Sequence, residues 1–359
     1  MSNMAQSLRI HAGFPGGNII VEEYLPEAIK LRSASSGTEG GCPWWYFEAE
    51  NLEAEAFTAR FIFPDNTATG AAGPCVNVDN GNWRWLGREC VEKNTFEFRF
   101  TPDMHCCRFA YSLPYVQTDL NKFLLTRPSI ERLPLTRSEE NREIELLHIP
   151  AATARKAIFI SAGHQSGAGI GSYMLEGVMD EWRNNRGILA DQAELFVLPL
   201  ADADGIEDGS PGRGRPPYDP GRDYGYFRYR VTAAYFERLQ RCRERITLLL
   251  DFRATNVHAP AFLWDEPATT GKLSGLNTAF AERRQGQLSC AVRDAASVAV
   301  LPDGCAAYAR TALQLENAFT LAIPDAEAGN IRINEDRARM VGRDLVRAIE
   351  AFVTEMEIS

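Results

Sequence analysis

The chain has 359 residues, of which 45% are hydrophobic and 24% are charged, values that fit a globular protein with two domains or with one large domain and an accessory one. Its formal net charge of -10 argues against a nucleic-acid partner, because binding to phosphates needs clustered lysines and arginines. No segment approaches the roughly 20 apolar residues that cross a bilayer, and the first residues lack the apolar core of a signal peptide. We therefore expect a cytoplasmic protein without a membrane partner.

Residues 1–125 are predicted to form an all-β sandwich domain. Short runs rich in β-branched and aromatic residues recur in this part of the chain, and turn-forming clusters separate them. The runs are GNIIVEEYL, WWYFEAENL, AFTARFIFP, TFEFRFTP and RFAYSLPY. Several short strands at this spacing are typical of two packed sheets.

Residues 126–359 have a different pattern, which predicts an α/β domain. Apolar strand segments alternate with segments of helical periodicity. The strand segments are KAIFISAGH, ELFVLPLAD, ITLLLDF and TALQLENAF, and the helical segments include SYMLEGVMDEWRNN, VTAAYFERLQRCRER and the C-terminal INEDRARMVGRDLVRAIEAFVTEM. This alternation predicts a mostly parallel or mixed, doubly wound sheet with helices on both faces.

Three of these predicted strands end in a chargeable residue. His164 ends KAIFISAGH, Arg253 follows LLLDF, and Glu316 ends ALQLE. Because ligands of such sheets bind at the carboxyl ends of the strands, the three residues predict a common pocket. A purely structural role, in which each residue simply satisfies neighbouring polar groups, stays open at this point.

The order of the segments resembles the zinc metallocarboxypeptidases, specifically the cytosolic-type branch, which carries a β domain in front of the catalytic domain. GNIIVEE, PWWYFEAEN and AYSLPYVQTDL resemble the accessory domain of that branch and its entry into the catalytic domain. LTRSEENREIELLHI resembles the strand that opens the catalytic domain. The resemblance covers roughly residues 15 to 350 and implies a carboxypeptidase-like fold with a peptide-hydrolysing pocket.

The resemblance also implies a zinc site, of which this chain keeps one ligand position. The family's His-Pro-Gly-Glu motif, whose His and Glu bind zinc, corresponds to His164 through Gly167, and the histidine that is the third ligand corresponds to Arg253. Arginine stays protonated and has no lone pair for a metal, whereas catalytic zinc sites normally have three protein ligands. We therefore expect no cofactor, with zinc possible only if other residues rebuild the site.

Further residues correspond to the family's substrate-binding and catalytic positions. Arg215 corresponds to the arginine that polarises the scissile carbonyl, and Arg222 to the arginine that binds the terminal carboxylate of the substrate. The asparagine beside that second arginine is Gly221 here, which weakens the carboxylate clamp. Glu316 corresponds to the general base, at the end of a late strand, and Tyr308 to the tyrosine that closes over the substrate.

Two functions from different classes follow from these correspondences. In the first, Arg253 replaces the metal by pairing with Glu316, and the protein binds a peptide C-terminus or a small carboxylate without hydrolysing it. In the second, the protein is an active hydrolase with a rebuilt metal site, for which His258 is a candidate ligand. A structural or regulatory protein with an unused pocket is a third possibility.

Overall fold

The structure is a computed structural model, and it describes most of the chain. The described residues are 7–34, 44–53, 55–64, 70, 72–153, 155–184, 187–210, 217–254, 262–266, 276, 280, 290–294, 304–324, 326–328 and 331–358. All elements, contacts and absences given below refer to these residues.

Two five-stranded sheets form the N-terminal part of the structure. One sheet has the strand order β1 (Leu8–His11), β4 (Tyr46–Asn51), β10 (Cys106–Ala110), β6 (Cys75–Val78) and β7 (Arg84–Trp85). The other has the order β2 (Ile20–Tyr24), β3 (Ile29–Arg32), β5 (Phe57–Ile62), β9 (Thr95–Phe100) and β8 (Val91–Glu92). The pairing is antiparallel except between β3 and β5.

Aromatic side chains from both sheets fill the space between them. Strand β9 alternates buried phenylalanines with exposed charged residues, as a strand with one face on a core should. Its Phe96 lies 5.7 Å from Phe109 on β10, and Phe61 on β5 lies 5.4 Å from Phe47 on β4, between ring centroids. Because each pair joins one sheet to the other, this region is the predicted β-sandwich.

An eight-stranded mixed sheet forms the centre of the second part. Its strand order is β11 (Glu131–Arg137), β12 (Glu143–Ile149), β14 (Ala193–Leu198), β13 (Lys156–Ser161), β15 (Ile246–Ala254), β18 (Ala318–Ile323), β16 (Phe262–Glu266) and β17 (Cys290–Asp294). The four strands β14, β13, β15 and β18 are parallel. A separate two-stranded ribbon follows, formed by β19 (Glu327–Ala328) and β20 (Ile331–Arg332).

Helices cover both faces of this sheet. They are α1 (Gln117–Leu125), α2 (Gly169–Asn184), α3 (Ile188–Gln192), α4 (Ala203–Glu207), α5 (Arg230–Cys242), α6 (Cys305–Ala312) and α7 (Glu335–Ile358). On the central strand β13, Ile158 and Ile160 belong to the same core as α2 and α7, whereas Phe159 belongs to the core of α5 and α6. The predicted fold class, a doubly wound mixed sheet preceded by an all-β sandwich, is confirmed.

One predicted strand is wrong in its position. The segment TALQLENAF was expected to be a strand that ends near Glu316, but helix α6 extends to Ala312 and β18 begins only at Ala318. Small residues with high helix propensity precede this point, and the buried Leu313 and Leu315 lie in the turn between helix and strand. Glu316 therefore precedes its strand instead of ending it.

Within the described part of the chain, no helix is both long and apolar enough to cross a membrane. The cytoplasmic location and the domain boundary between residues 125 and 126 stay predictions.

Candidate functional site

His164 lies at the carboxyl end of the central strand, in the turn between β13 and α2. Strand β13 is buried almost throughout, so the chain delivers this imidazole to the edge of the sheet inside the protein, where its residue is only 2% exposed. Its Nε2 atom lies 3.0 Å from the hydroxyl of Tyr224. Its Nδ1 atom lies 3.4 Å from Oδ1 of Asp251, without the alignment of a hydrogen bond.

The neighbouring strand β15 brings Asp251 and Arg253 to the same edge. The parallel register sets Asp251 beside Ser161, whose hydroxyl donates to Oδ1 of Asp251 at 2.8 Å. The side chain of Arg253 reaches the segment around Gly221, and its guanidinium donates to the carbonyl of Gly221. The same guanidinium lies 3.5 Å from Oδ2 of Asp219 and 4.0 Å from Oδ2 of Asp251.

Asp219 connects these groups into one network. It begins a short 3₁₀ turn, Pro220–Arg222, and its Oδ1 accepts a hydrogen bond from the backbone N–H of Gly221. Its Oδ2 accepts from the side-chain amide of Gln165 at 2.5 Å. A buried carboxylate that is hydrogen-bonded on both oxygens and faces a guanidinium is well compensated for its loss of water.

Gly221 makes room for this arrangement. A Cβ atom at this position would lie 2.5 Å from one terminal nitrogen of Arg253 and 2.6 Å from the other. The guanidinium thus fills the space where a side chain at position 221 would begin. Arg253 can lie here because Gly221 has no side chain.

Gly167, at the second expected ligand position, also has a conformation that a side chain would strain. Its φ angle is +84°, in the left-handed region that favours glycine. A Cβ atom there would lie 3.1 Å from Cε3 of Trp44, which is buried. A glutamate at this position would need both a strained backbone and a displaced indole.

The titration of His164 follows from its surroundings. Burial lowers the pKa of this imidazole, the positive charge of Arg253 lowers it further, and the carboxylates of Asp251 and Asp219 oppose the shift. Burial also raises the pKa of Tyr224 well above its usual range. With both groups neutral, the hydrogen-bond network assigns the Tyr224 O–H as donor to Nε2, which leaves the Nδ1–H facing Asp251.

These residues do not fit a zinc ion. The Nε2 lone pair of His164 accepts the tyrosine proton, Gly167 has no donor atom, and Arg253 carries a fixed positive charge. Over the ranges that the structure describes, no group of three His, Cys, Asp or Glu side chains is arranged to hold a metal ion. The site instead fixes the guanidinium of Arg253 between the buried carboxylates of Asp219 and Asp251.

Glu316 lies away from this network, and its predicted pairing with Arg253 is wrong. It is exposed in the turn before β18, at the amino end of that strand, whereas Arg253 lies beside Ala322 near the carboxyl end. The partner of Arg253 is Asp219. The strand end that would carry a general base holds the buried apolar residues Ala322 and Ile323.

Two further predicted residues lie in different elements. Arg222 is exposed at the end of the 3₁₀ turn, directly after Gly221. Tyr308 is half-buried on α6, where its ring packs against Phe236 at a centroid distance of 5.1 Å. Arg215 and His258 lie outside the described residues, so their predicted roles stay predictions.

Sequence reasoning missed Asp219, Tyr224 and Gln165 as members of the site. The signal for Asp251 was present, because a carboxylate inside an apolar strand needs a partner. Asp219 and Tyr224 lie in the Gly- and Pro-rich stretch DPGRDYG, where no periodicity indicates which side chains turn inward.

Comparison with known proteins bears on the fold. No family model matches the chain. Human cytosolic carboxypeptidase 2 is 28% identical over 207 residues, which cover 45% of this chain but only 22% of that longer protein. The metallo-carboxypeptidase of Burkholderia cenocepacia aligns over 98% of this chain and 100% of its own, with a TM-score of 0.77 at 18% identity.

A second solved structure is similar to this chain in its coverage, TM-score and sequence identity. It is the metallo-carboxypeptidase of Pseudomonas aeruginosa in complex with (2-guanidinoethylmercapto)succinic acid, which aligns over 97% of this chain and 100% of its own, with a TM-score of 0.78 at 18% identity. The chain therefore has the carboxypeptidase fold, and its resemblance to the metallocarboxypeptidases and their cytosolic-type branch is confirmed.

Proposed function

We propose that this carboxypeptidase-type protein does not hydrolyse peptides by metal-assisted attack of water, and that it binds a peptide C-terminus or a small carboxylate instead. The observation that carries the first half is the guanidinium of Arg253, fixed by Asp219 and by the carbonyl of Gly221 where the family has a zinc ligand.

The chemistry of the donors supports this proposal. Metal-assisted hydrolysis needs a Lewis acid that acidifies water and a base that accepts the proton of that water. Arginine cannot ligate a metal, and water beside a guanidinium keeps nearly its ordinary acidity. The described end of β18, with Ala322 and Ile323, offers no carboxylate as the base.

The position of Arg222, an exposed residue directly after Gly221, supports the second half of the proposal. A guanidinium presents two parallel N–H donors to a carboxylate, and Arg222 corresponds to the residue that has this task in the family. The related enzyme of Pseudomonas aeruginosa binds a substituted succinic acid, which carries two carboxylates. The same compound is therefore a suitable probe for this chain.

The test combines metal analysis, turnover and binding. After equilibration with zinc sulfate and gel filtration, we expect much less than one zinc per chain and no release of C-terminal residues from a peptide mixture. We expect (2-guanidinoethylmercapto)succinic acid to raise the melting temperature of the wild type and of Arg228→Gln, a nearby exposed arginine, but not of Arg222→Gln.

Either half can fail separately. One zinc per chain together with chelator-sensitive release of C-terminal residues would show an active hydrolase with a rebuilt metal site. An unchanged melting temperature of the wild type with the succinate probe and with C-terminal peptides would refute carboxylate binding.

A further inference from the structure

A cavity lies between the β-sandwich and the α/β part, and His164 is not among its lining residues. It has a volume of about 560 Å³, within the range of small-molecule sites. Strands β4, β6 and β10 contribute to one wall, and helices α1, α2 and α7 contribute to the other. The indole N–H of Trp85 donates to the carbonyl of Ile333 at 2.8 Å, which joins the two walls. We call this cavity the interdomain cleft.

The three arginines of the interdomain cleft are already paired within the chain. Arg108 donates to Glu48 at 2.7 Å, and Arg127 makes a two-point contact with Asp180 at 2.5 and 2.8 Å. Arg339 donates to the buried Glu176 at 2.7 Å and to Asp336 at 3.1 Å. Since their charges are neutralised by these carboxylates, the arginines do not make the cleft a site for anions.

Two further carboxylates of the cleft have hydrogen bonds but no arginine partner. Over the described residues, neither Asp119 nor Glu335 forms an ion pair with an arginine, and the ammonium of the exposed Lys122 lies 3.9 Å from Asp119. Asp119 accepts a hydrogen bond from the backbone at the start of α1, and Glu335 accepts hydrogen bonds from the hydroxyl of Tyr173 and from the backbone of Trp83. Burial raises the pKa of both carboxyls. After burial itself, these two carboxylates are the largest causes of the raised pKa of Tyr173, so both act on the same part of the cleft.

Aromatic rings complete the lining. Three of them already hold an arginine of the chain over their faces. The distances from the guanidinium carbon to the ring centroid are 4.9 Å for Arg108 and Phe14, 3.8 Å for Arg127 and Phe123, and 5.1 Å for Arg339 and Tyr173. The adjacent rings of Tyr46 and Trp83, with centroids 5.7 Å apart, have no cation over them among the described residues. Carboxylates next to such rings favour organic ammonium groups.

We propose that the interdomain cleft binds a small organic cation with a primary ammonium group, which pairs with Asp119 and Glu335 and contacts the rings of Tyr46 and Trp83. The formal net charge of -10 adds a long-range attraction for such a ligand. The site is independent of Arg222 and Arg253, so it stands or falls separately from the proposed carboxylate binding.

The test is calorimetric titration of the full chain with spermidine and with N-acetyl-lysine methylamide, which has the ammonium group of a peptide side chain. N-acetyl-norleucine methylamide, which lacks the charge, serves as the control ligand. We expect saturable binding of at least one ammonium ligand and no binding of the norleucine compound. Binding of spermidine alone points to a free amine as the natural ligand, and binding of the lysine compound points to a peptide side chain.

Charge-neutral variants of nearly the same shape locate the site. Asp119→Asn keeps an acceptor for the backbone N–H of Val116, and Glu335→Gln keeps the length of the side chain. Each should weaken binding at least tenfold, whereas Asp336→Asn, the same loss of charge on an exposed neighbour, should change it less than twofold. No binding of either ammonium ligand, equal binding of the norleucine compound, or equal affinity in all three variants would overturn the proposal.

Discussion

The His164 site and the interdomain cleft both hold ionisable groups out of water, but they balance charge in different ways. At the His164 site, Arg253 lies between Asp219 and Asp251, and Asp219 is also hydrogen-bonded by Gln165 and by the backbone of Gly221. At the cleft, the carboxylates of Asp119 and Glu335 line the cavity and accept hydrogen bonds, but neither has an arginine partner among the described residues.

The difference teaches how a pocket can hold two buried carboxylates without a bound ligand and stay stable. Two buried carboxylates need a cation, and a guanidinium from within the chain can supply it only if there is room. The absence of a side chain at Gly221 provides that room. A carboxylate that already pairs with a guanidinium of the chain gains little from a second cation, whereas the cleft carboxylates, which have no arginine partner among the described residues, still gain by binding one.

The largest expected effect tests whether Arg253 neutralises the buried carboxylates of the His164 site. Arg253→Met removes the cation and leaves Asp219 and Asp251 buried without it, which should lower the free energy of unfolding by about 3–5 kcal/mol. Arg241→Met is the control, since Arg241 and Glu237 form a pair whose side chains are 69% and 60% exposed. It should cost at most about 0.5 kcal/mol. Urea unfolding measures the free energy of unfolding of both variants. Similar losses in the two variants would contradict the role of Arg253 in neutralising Asp219 and Asp251.

The sequence predicted the fold better than it predicted the site. Alternating phenylalanines in β9 and the uninterrupted apolar run of β13 each indicate a strand and its burial, because burial alone decides these patterns. The position of His164 followed from the strand that precedes it. The partner of Arg253 did not follow, because Asp219 lies in an irregular loop where only the folded backbone sets the direction of a side chain.

Glu316 shows a different limit. The segment from Thr311 to Glu316 has apolar residues that suit a strand, and the helix propensity of the residues before it was the competing signal. Moving the start of the strand by a few residues transfers this carboxylate from one end of the sheet to the other. A site prediction that depends on an element boundary is therefore only as good as that boundary.

A smaller effect concerns the pH dependence of stability. Burial lowers the pKa of His164 in the folded protein, so below about pH 6.5, the ordinary value for histidine, the unfolded chain binds a proton that the folded chain does not. The contribution of His164 to stability is thus complete above that pH and is lost as the pH falls toward the folded pKa. The loss can reach at most about 1.4 kcal/mol per pH unit.

The His164→Gln variant isolates this contribution. Urea unfolding of wild type and variant between about pH 5 and 8 should give a difference in unfolding free energy that shrinks as the pH falls. A difference that is constant over this range would contradict the lowered pKa. Titration of the imidazole by NMR gives the same quantity directly.

The smallest expected effect concerns the carboxylates of the interdomain cleft. Glu335→Gln removes a charge that burial disfavours and that has no arginine in contact, so the free energy of unfolding should change by no more than about 0.5 kcal/mol, or rise. Asp219→Asn removes a charge that holds a buried guanidinium and should cost about 3 kcal/mol. Urea unfolding of the two variants compares them at the same pH. A large loss for Glu335→Gln would mean that this carboxylate is already compensated within the chain, and the interdomain cleft would then have no more reason to bind a cation than the His164 site has.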